Sequence, residues 1–469
     1  MSKPEEMLPP EWSKQYSKTH QRDYWFNSSD GSRSWEPPAV VDEEPTSKRS
    51  RTVAPPPSVV QEDSPLMSVE RARLLNSCFD LFVAENAKFG DMQGHSKTAK
   101  ACKKDGMKVG LQGMFGRIVW TQLLRHVQTN GDIGSDPTSD AVFVPAPVTD
   151  EAVTQELHEA GRSPEQAQRV VSTVYAKLRD ACASLVQAQS SSSGSTAAVS
   201  LQGKLVQPDG QLQGDVMYRL SFSHAAYVIS GKHLEKLLRL YSLHTHPGCA
   251  VTDPVFLRRV FCVIARYELL SGSSDGYQMA FPDAGFQWLR RHVGVTAECF
   301  ASPLNCWNDR FCSVARDTDR FFGSMGNFFH FNGSSSLSSS DGGGGSFEAN
   351  PPFVESIMDE MAAKIEDILS KETALPFSFS VIVPAWTGCL GIDIMTNSRF
   401  LRPNPKFVLR LEKKKHAYRP GMQHRTDHAE QPSNVDTLVF FLQNDKGAAR
   451  WPVTVALAED LQKKMEAGC

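Results

Sequence analysis

The sequence predicts a multidomain protein built from a small all-β module, an α-helical region and an α/β unit. Three observations predict it. Trp12 and Trp35 flank an aromatic run, Tyr24-Trp25-Phe26, with prolines at both ends of the segment. Residues 68 to 185 repeat apolar side chains at helical spacing. Farther on, Gly345 to Phe353 reads as a buried strand, a double-proline stop and the entry to a helix, the local order of an α/β sheet.

A chain of 469 residues has room for two or three domains. Its 50 Lys+Arg nearly balance its 53 Asp+Glu, so any nucleic-acid site has to be a local patch. No apolar run approaches about 18 residues and no signal peptide opens the chain, so a soluble, unsecreted protein with no membrane partner is expected. The ten cysteines show no C-x-x-C spacing, and several sit in apolar runs. They read as reduced core thiols, and no metal site is expected.

In order, residues 6–40 form the all-β module and 41–67 a disordered linker, acidic and Pro-rich. Lys48-Arg49-Ser50-Arg51 within the linker reads as solvated charge or as a nuclear import signal. Residues 68–290 read as mainly helical. An amphipathic helix starts around Arg71, Leu74, Leu75 and Cys78, breaks fall at Pro145, Pro147 and Gly161-Arg162-Ser163-Pro164, and a flexible Ser-rich insertion spans 187–200. Met217–Phe222 is a predicted strand; Lys232–Leu243 and Pro254–Leu270 are predicted helices. Lys97, Lys100, Lys103, Lys104, Lys108, Arg117 and Arg125 make the early helices basic, either as solvated faces or as a phosphate track for RNA.

Residues 291–469 form the α/β unit. Gly294 to Asn305 predicts a first strand feeding a ligand loop, where small Ala301 and Ser302 permit close backbone approach. A Ser/Gly insertion at 333–345 must loop out, since almost nothing in it can fill a core. Phe377–Val383 and Thr437–Leu442 are further strands, and Trp386 follows the first of them, buried or stacked on a base. Ahead of both, Asn350-Pro351-Pro352-Phe353 precedes a helix with Ile357, Met358, Met361, Ile365 and Ile368 on one stripe. The Asn350 side-chain carbonyl and the Pro351 backbone carbonyl can both accept from an exocyclic amine. Pro351 cannot turn away because its φ is fixed, and Phe353 offers a flat face for a base. Two acceptors and a platform can hold an adenine N6 amine toward an electrophilic methyl group. The plainer reading is an Asn-Pro turn.

The tetrad resembles the catalytic signature of S-adenosylmethionine-dependent amino-group methyltransferases. Residues 8–38, with Leu8-Pro9-Pro10-Glu11-Trp12 at one end and Trp35-Glu36-Pro37-Pro38 at the other, resemble a WW domain. By that resemblance Trp12 is structural, Tyr24 and Trp35 form a polyproline groove, and Ser17 and Lys18 could hold a phosphate; a generic proline-rich ligand is the alternative. Cys299-Phe300-Ala301-Ser302-Pro303-Leu304-Asn305-Cys306, Asp317-Thr318-Asp319, the tetrad with Ser346 to Ala349 before it, Tyr418-Arg419-Pro420-Gly421 and Phe441-Leu442-Gln443-Asn444 together resemble the phosphorylated-CTD-interacting factor family.

That resemblance implies a Rossmann-like methyltransferase domain behind the helical, RNA- and cap-binding one. It implies transfer of a methyl group from S-adenosyl-L-methionine to N6 of the 2′-O-methyladenosine beside the 7-methylguanosine cap of mRNA. Asn350, Pro351, Pro352 and Phe353 would be catalytic. Together with Ala301, Ser302, Pro303 and Asn305 they would border the cofactor; Glu355 and Trp386 would contact substrate. The implied partners are capped mRNA and the phosphorylated C-terminal domain of RNA polymerase II, the implied place is the nucleus, and a monomer is expected. Competing readings are an N6-adenine methyltransferase of internal RNA or DNA sites and a catalytically inactive polymerase-binding adaptor.

Overall fold

The structure, a computed structural model, describes residues 12–17, 22–27, 33–34, 62–130, 151–191, 198–203, 216–271, 275–331, 344–403, 406–425 and 430–466. At the front, β1 (Trp12–Ser17), β2 (Arg22–Asn27) and β3 (Arg33–Ser34) form an antiparallel three-stranded sheet in chain order. Gln15 lies opposite Tyr24 and Ser17 opposite Arg22. Lys18, Trp35 and most of the 41–67 linker lie outside the described residues.

Five helices follow: α1 (Pro65–Ala87), α2 (Lys97–Asp105), α3 (Met107–Asn130), α4 (Glu151–Glu159) and α5 (Pro164–Ser191). Ser64 caps α1 by accepting from the Met67 amide, with Pro65 in the first turn where its missing N–H costs nothing. The other end of α1 is held from a distance. Arg162, in the predicted Gly161–Pro164 break, buries its guanidinium and donates to the carbonyls of Asn86 at 2.9 Å and Gly90 at 2.8 Å. Orphan carbonyls of the helix end thus find a cation. α5 runs on to Ser191, into the stretch where the sequence suggests a surface insertion at 187–200, since each added residue of a formed helix gains a hydrogen bond.

The 68–290 stretch is not wholly helical. β4 (Ser200–Gln202), β5 (Met217–Phe222) and β6 (Ala225–Ser230) make an antiparallel sheet, with β5 at its predicted bounds. α6 (Gly231–His244), α7 (Pro254–Ser271) and α8 (Asp283–Val293) come next.

The main sheet has six strands: β7 (Ala297–Glu298), β8 (Gly345–Ala349), β9 (Phe377–Pro384), β10 (Leu401–Arg402), β11 (Leu409–Leu411) and, after the small pair β12 (Ala417–Tyr418) and β13 (Gln431–Pro432), β14 (Thr437–Gln443). The order is β10-β14-β9-β8-β7, with β11 also on β14. β7, β8 and β9 run parallel; β14 is antiparallel to β9, making the sheet mixed. Short α9 (Arg316–Asp319), α10 (Glu355–Lys371), α11 (Leu390–Asn397), α12 (Asp445–Arg450) and α13 (Val455–Glu466) complete the chain. Alternation along the strands sends Phe347, Ala349, Phe379 and Val381 to one face, where Met358, Met361 and Ile365 of α10 cover them. Ile382, Val439 and Phe441 face the other way, onto Trp288 and Leu289 of α8 and Leu461 of α13. The expected first strand shrinks to Ala297–Glu298, because a side-chain-closed turn at Ser302–Asn305 pulls the chain off this sheet edge.

A buried charge network ties the helices to the sheet unit. Asp63 accepts from Ser68 at 2.7 Å, Arg71 at 2.9 Å and Arg266 at 3.1 Å. Arg266, on α7, also grips both oxygens of Asp317, at 3.1 and 2.7 Å. The next residue, Tyr267, donates to Asp319, whose other oxygen accepts from Thr318 at 2.8 Å. Burial alone would raise Asp63, but Arg71 and Arg266 outweigh it and hold its carboxyl below the usual range. Asp319 has no cation, and burial pushes it up to about 7 despite those hydrogen bonds. Among the described residues the cysteines are free and buried, and no helix is long and apolar enough to cross a membrane.

Arg266→Ala strands the buried Asp317 carboxylate and leaves Asp63 to Arg71, so urea denaturation should show a loss of about 3–5 kcal/mol, the cost of breaking a buried ion pair. Asp319 carries the opposite kind of signature. Its folded form keeps a proton that the unfolded chain has already released, so its contribution to stability falls as pH rises from about 4 to about 7. Asp319→Asn should flatten the decline of unfolding free energy between roughly pH 5 and pH 7 by up to about 1.4 kcal/mol per unit. Glu298, pushed the same way, leaves part of the slope in place.

Candidate active site

β8 is buried along its whole length and delivers Asn350 at its carboxyl end, where Pro351 and Pro352 prevent further pairing. α10 then begins after Val354, which takes the N-cap position. The Asn350 amide is fixed from one side only: Nδ2 donates to the Met279 carbonyl at 3.1 Å, while Oδ1 is buried and has no partner. A buried acceptor left unpaired is costly, and a donor arriving from a ligand would remove that cost.

Asn350 and Pro352 line a cavity of about 660 Å³, its open mouth included. Ala301, Ser302 and Asn305 line the same cavity, so two segments singled out in the sequence meet there. Ser302 and Asn305 build the turn themselves. Asn305 Oδ1 accepts from the Ser302 amide at 2.7 Å and its hydroxyl at 2.9 Å, and Nδ2 donates to the Gln278 carbonyl at 3.1 Å. Asn305 therefore shapes the loop. Pro303 and Pro351 are buried and do not line the cavity.

Phe353 points elsewhere. Its ring, half-buried, meets Trp386 edge-on at 6.4 Å and Tyr418 at 6.3 Å. Trp386 is 37% exposed, so this aromatic group has a solvent-facing side. Glu355 is exposed on the first turn of α10. The tetrad thus spans two features: Asn350 and Pro352 on the cavity, Phe353 on the aromatic group. The residues expected to hold a phosphopeptide fall on the front sheet (Tyr24 and Ser17, by backbone position) or outside the described residues (Lys18 and Trp35).

Sequence reasoning missed much of the cavity wall. Trp120 of α3, Tyr267 of α7, Tyr277, Phe300, Phe328 and Phe329 all line it. Gly116 makes room for Tyr277, because a Cβ there would lie 2.9 Å from the ring; the Tyr277 hydroxyl donates to the Gly113 carbonyl at 3.0 Å. The Phe328-Phe329 doublet before the Ser/Gly insertion was the available signal, since a surface loop seldom spends two aromatics.

Behind the tetrad stand two buried carboxyls in register, Glu298 on β7 and Glu348 on β8. Glu298 accepts from the amides of Trp307 at 2.9 Å and Asn308 at 2.6 Å, which pins the strand-end loop; burial pushes it up to about 7. Glu348 has an orphaned oxygen, and burial, with Glu298 beside it, drives it well above the carboxylate range. Among the described residues, His246, Cys249 and Asp253 bring ligand-type atoms within 4.8 Å of one another, but none lines the cavity and Asp253 already caps α7.

With the geometry in place, comparison with known proteins is informative. The family model described as "Phosphorylated CTD interacting factor 1 WW domain" matches residues 236–421. That segment runs from α6 past β12 and contains Asn350 to Phe353; it lies outside the 6–40 module. The human protein named mRNA (2′-O-methyladenosine-N(6)-)-methyltransferase is 38% identical over 241 residues, and the mouse protein of the same name is equally similar. The match takes in 50% of this chain and 32% of each relative, so the chain aligns with about a third of their length. The order of the motifs, the matched family model and these relatives agree in one direction: over this segment the chain is similar to the phosphorylated-CTD-interacting factor family.

Proposed function

We propose that this protein is an S-adenosyl-L-methionine-dependent methyltransferase with a Rossmann-like catalytic domain. In this reading it methylates N6 of the 2′-O-methyladenosine next to the 7-methylguanosine cap of mRNA. The observation that carries it is the buried, unpartnered Asn350 Oδ1 at the junction of the cavity and the Phe353–Trp386–Tyr418 group. The names of the human and mouse relatives supply the reaction class.

The cavity suits the cofactor on its own chemistry. Small Ala301 allows backbone approach, and aromatic walls at Phe300, Phe328 and Phe329 suit a sulfonium cation. When bound, S-adenosyl-L-methionine supplies an electrophilic methyl group. The protein's part is alignment. Asn350 Oδ1 and the Pro351 carbonyl accept from the adenine amine and turn its lone pair toward the cavity. Pro351 and Pro352 hold that geometry rigidly, and Phe353 with Trp386 supplies stacking surface for the base or the cap. The amine sheds its proton to water once the new N–C bond has formed, so positioning rather than a strong base carries the rate. Recruitment to the phosphorylated C-terminal domain of RNA polymerase II through the front module, and a nuclear location, complete the proposal.

The test uses purified protein, labelled cofactor and short RNAs beginning with capped 2′-O-methyladenosine, with uncapped and guanosine-starting controls. Label confined to N6 of the capped adenosine supports the reading. Equal label in uncapped RNA favours an internal-site enzyme, and no label with phosphopeptide binding intact leaves an adaptor. Asn350→Ala should lower kcat by about 10²–10³-fold with little change in thermal stability, the usual loss for one preorganised polar contact. Trp386→Ala should instead act mainly on KM, raising it by roughly 5- to 100-fold if one base-stacking contact is lost.

A further inference from the structure

α2 is a short helix with a divided surface. Thr98, Ala99 and Cys102 are buried, whereas Lys97, Lys100, Lys103 and Lys104 are exposed. At 3.6 residues per turn, the four lysines fall within a sector of about 120° opposite the buried stripe. Asp105 is the sole acid of the helix, and Lys104 approaches it at only 3.9 Å. Exposed His95 precedes the helix; exposed Lys108 follows it, bridged to Asp80 at 2.9 Å. In a chain of net charge −3 this is a concentrated cationic face.

The face is joined to the cavity by a single element. The chain reverses at Gly106, with φ +86°, and α2 lies so close on α3 that a Cβ at Gly110 would come within 2.4 Å of the Cys102 sulfur. α3 then runs unbroken to Trp120, which lines the cavity. From Met107 to Trp120 a helix advances about 20 Å. A chain-like anion with its end in the cavity could therefore lie on α2 a few monomers away.

We propose that the lysine face of α2 binds the sugar-phosphate backbone of single-stranded RNA whose 5′ end occupies the cavity. The word RNA rests on the function proposed above; the charge and geometry do not. Lysines serve phosphate backbones without reading sequence, whereas they are depleted at the centres of protein interfaces, so the face fits nucleic acid better than an acidic protein.

The experiment measures fluorescence anisotropy of capped RNAs of about four and about twenty nucleotides across a salt series, with wild type and two variants, Lys100→Glu/Lys103→Glu/Lys104→Glu and the matching Gln triple. The longer RNA should bind either variant at least ~10-fold more weakly at low salt, and the slope of log K against log salt should shrink by about 2, near 0.7 per lost phosphate contact. Binding and methylation of the shorter RNA should stay at wild-type level. Unchanged affinity and slope for the longer RNA overturn the proposal, as does an equal loss on both lengths. Loss of binding to an acidic or phosphorylated peptide, with RNA binding intact, overturns it in favour of a protein partner. If wild type methylates no RNA yet the length-dependent loss appears, the proposed function fails and the backbone-binding face stands.

Discussion

The contact on which the rest depends is Arg266 held between Asp63 and Asp317. All three side chains are fully buried; Asp317 is charge-balanced by this guanidinium, and Asp63 shares it with Arg71. Asp63 stands at the entry to α1, Arg266 on α7, and Asp317 on short α9, between β7 and β8 of the main sheet. One cation thus fixes the helical layer against the loop region that closes the cavity. Tyr267, one residue along, reaches the cavity wall and donates to Asp319. Packing alone could tolerate sliding between these layers; a bidentate grip on Asp317 does not.

On that frame the sheet presents a polar seam. Ser346, Glu348 and Asn350 alternate along β8 with Phe347 and Ala349, and Ser380 stands on the neighbouring strand. Each of the four has a buried polar atom with no partner. A parallel strand buried on both faces is ordinarily apolar throughout. Here every second position of β8 is polar, and the seam ends at the residue given the central role. Departures from core rules gather at functional sites, and this one points along the strand to Asn350.

Much of the fold was legible. The stripes of α6, α7 and α10 and the β-rich runs of β5, β9 and β14 appear within a residue or two of their expected bounds, because each buries one face or both and so shows a clear period. β7 was overextended: its sequence favours a strand, but pairing stops where Ser302 and Asn305 close a turn, a tertiary choice that propensity does not register. β4 and β6 went unseen, being short and weakly patterned. In the site, Asn350 was visible because two prolines mark it, and Ala301 and Ser302 because they are small. Trp120, Tyr267 and Tyr277 were not, since an aromatic on a helix reads as core until the fold shows that it faces a cavity. Phe353 reads from the sequence as a stacking face for a base and as part of the cofactor border; the structure adds its neighbours, Trp386 and Tyr418, and leaves it off the cavity lining.

One anchor at the chain's entry has a mechanical meaning. Glu62 accepts from Arg258 at 3.0 Å and from Arg259 at 2.9 Å, one residue before Asp63 meets Arg71 and Arg266. Three of these four arginines belong to α7. The entry to α1 is therefore riveted to α7 by two adjacent carboxylates, at Arg258 and Arg259 and again at Arg266, the residue beside Tyr267 of the cavity wall. Two neighbouring residues thus pin the start of the helical region to the helix that walls the cavity.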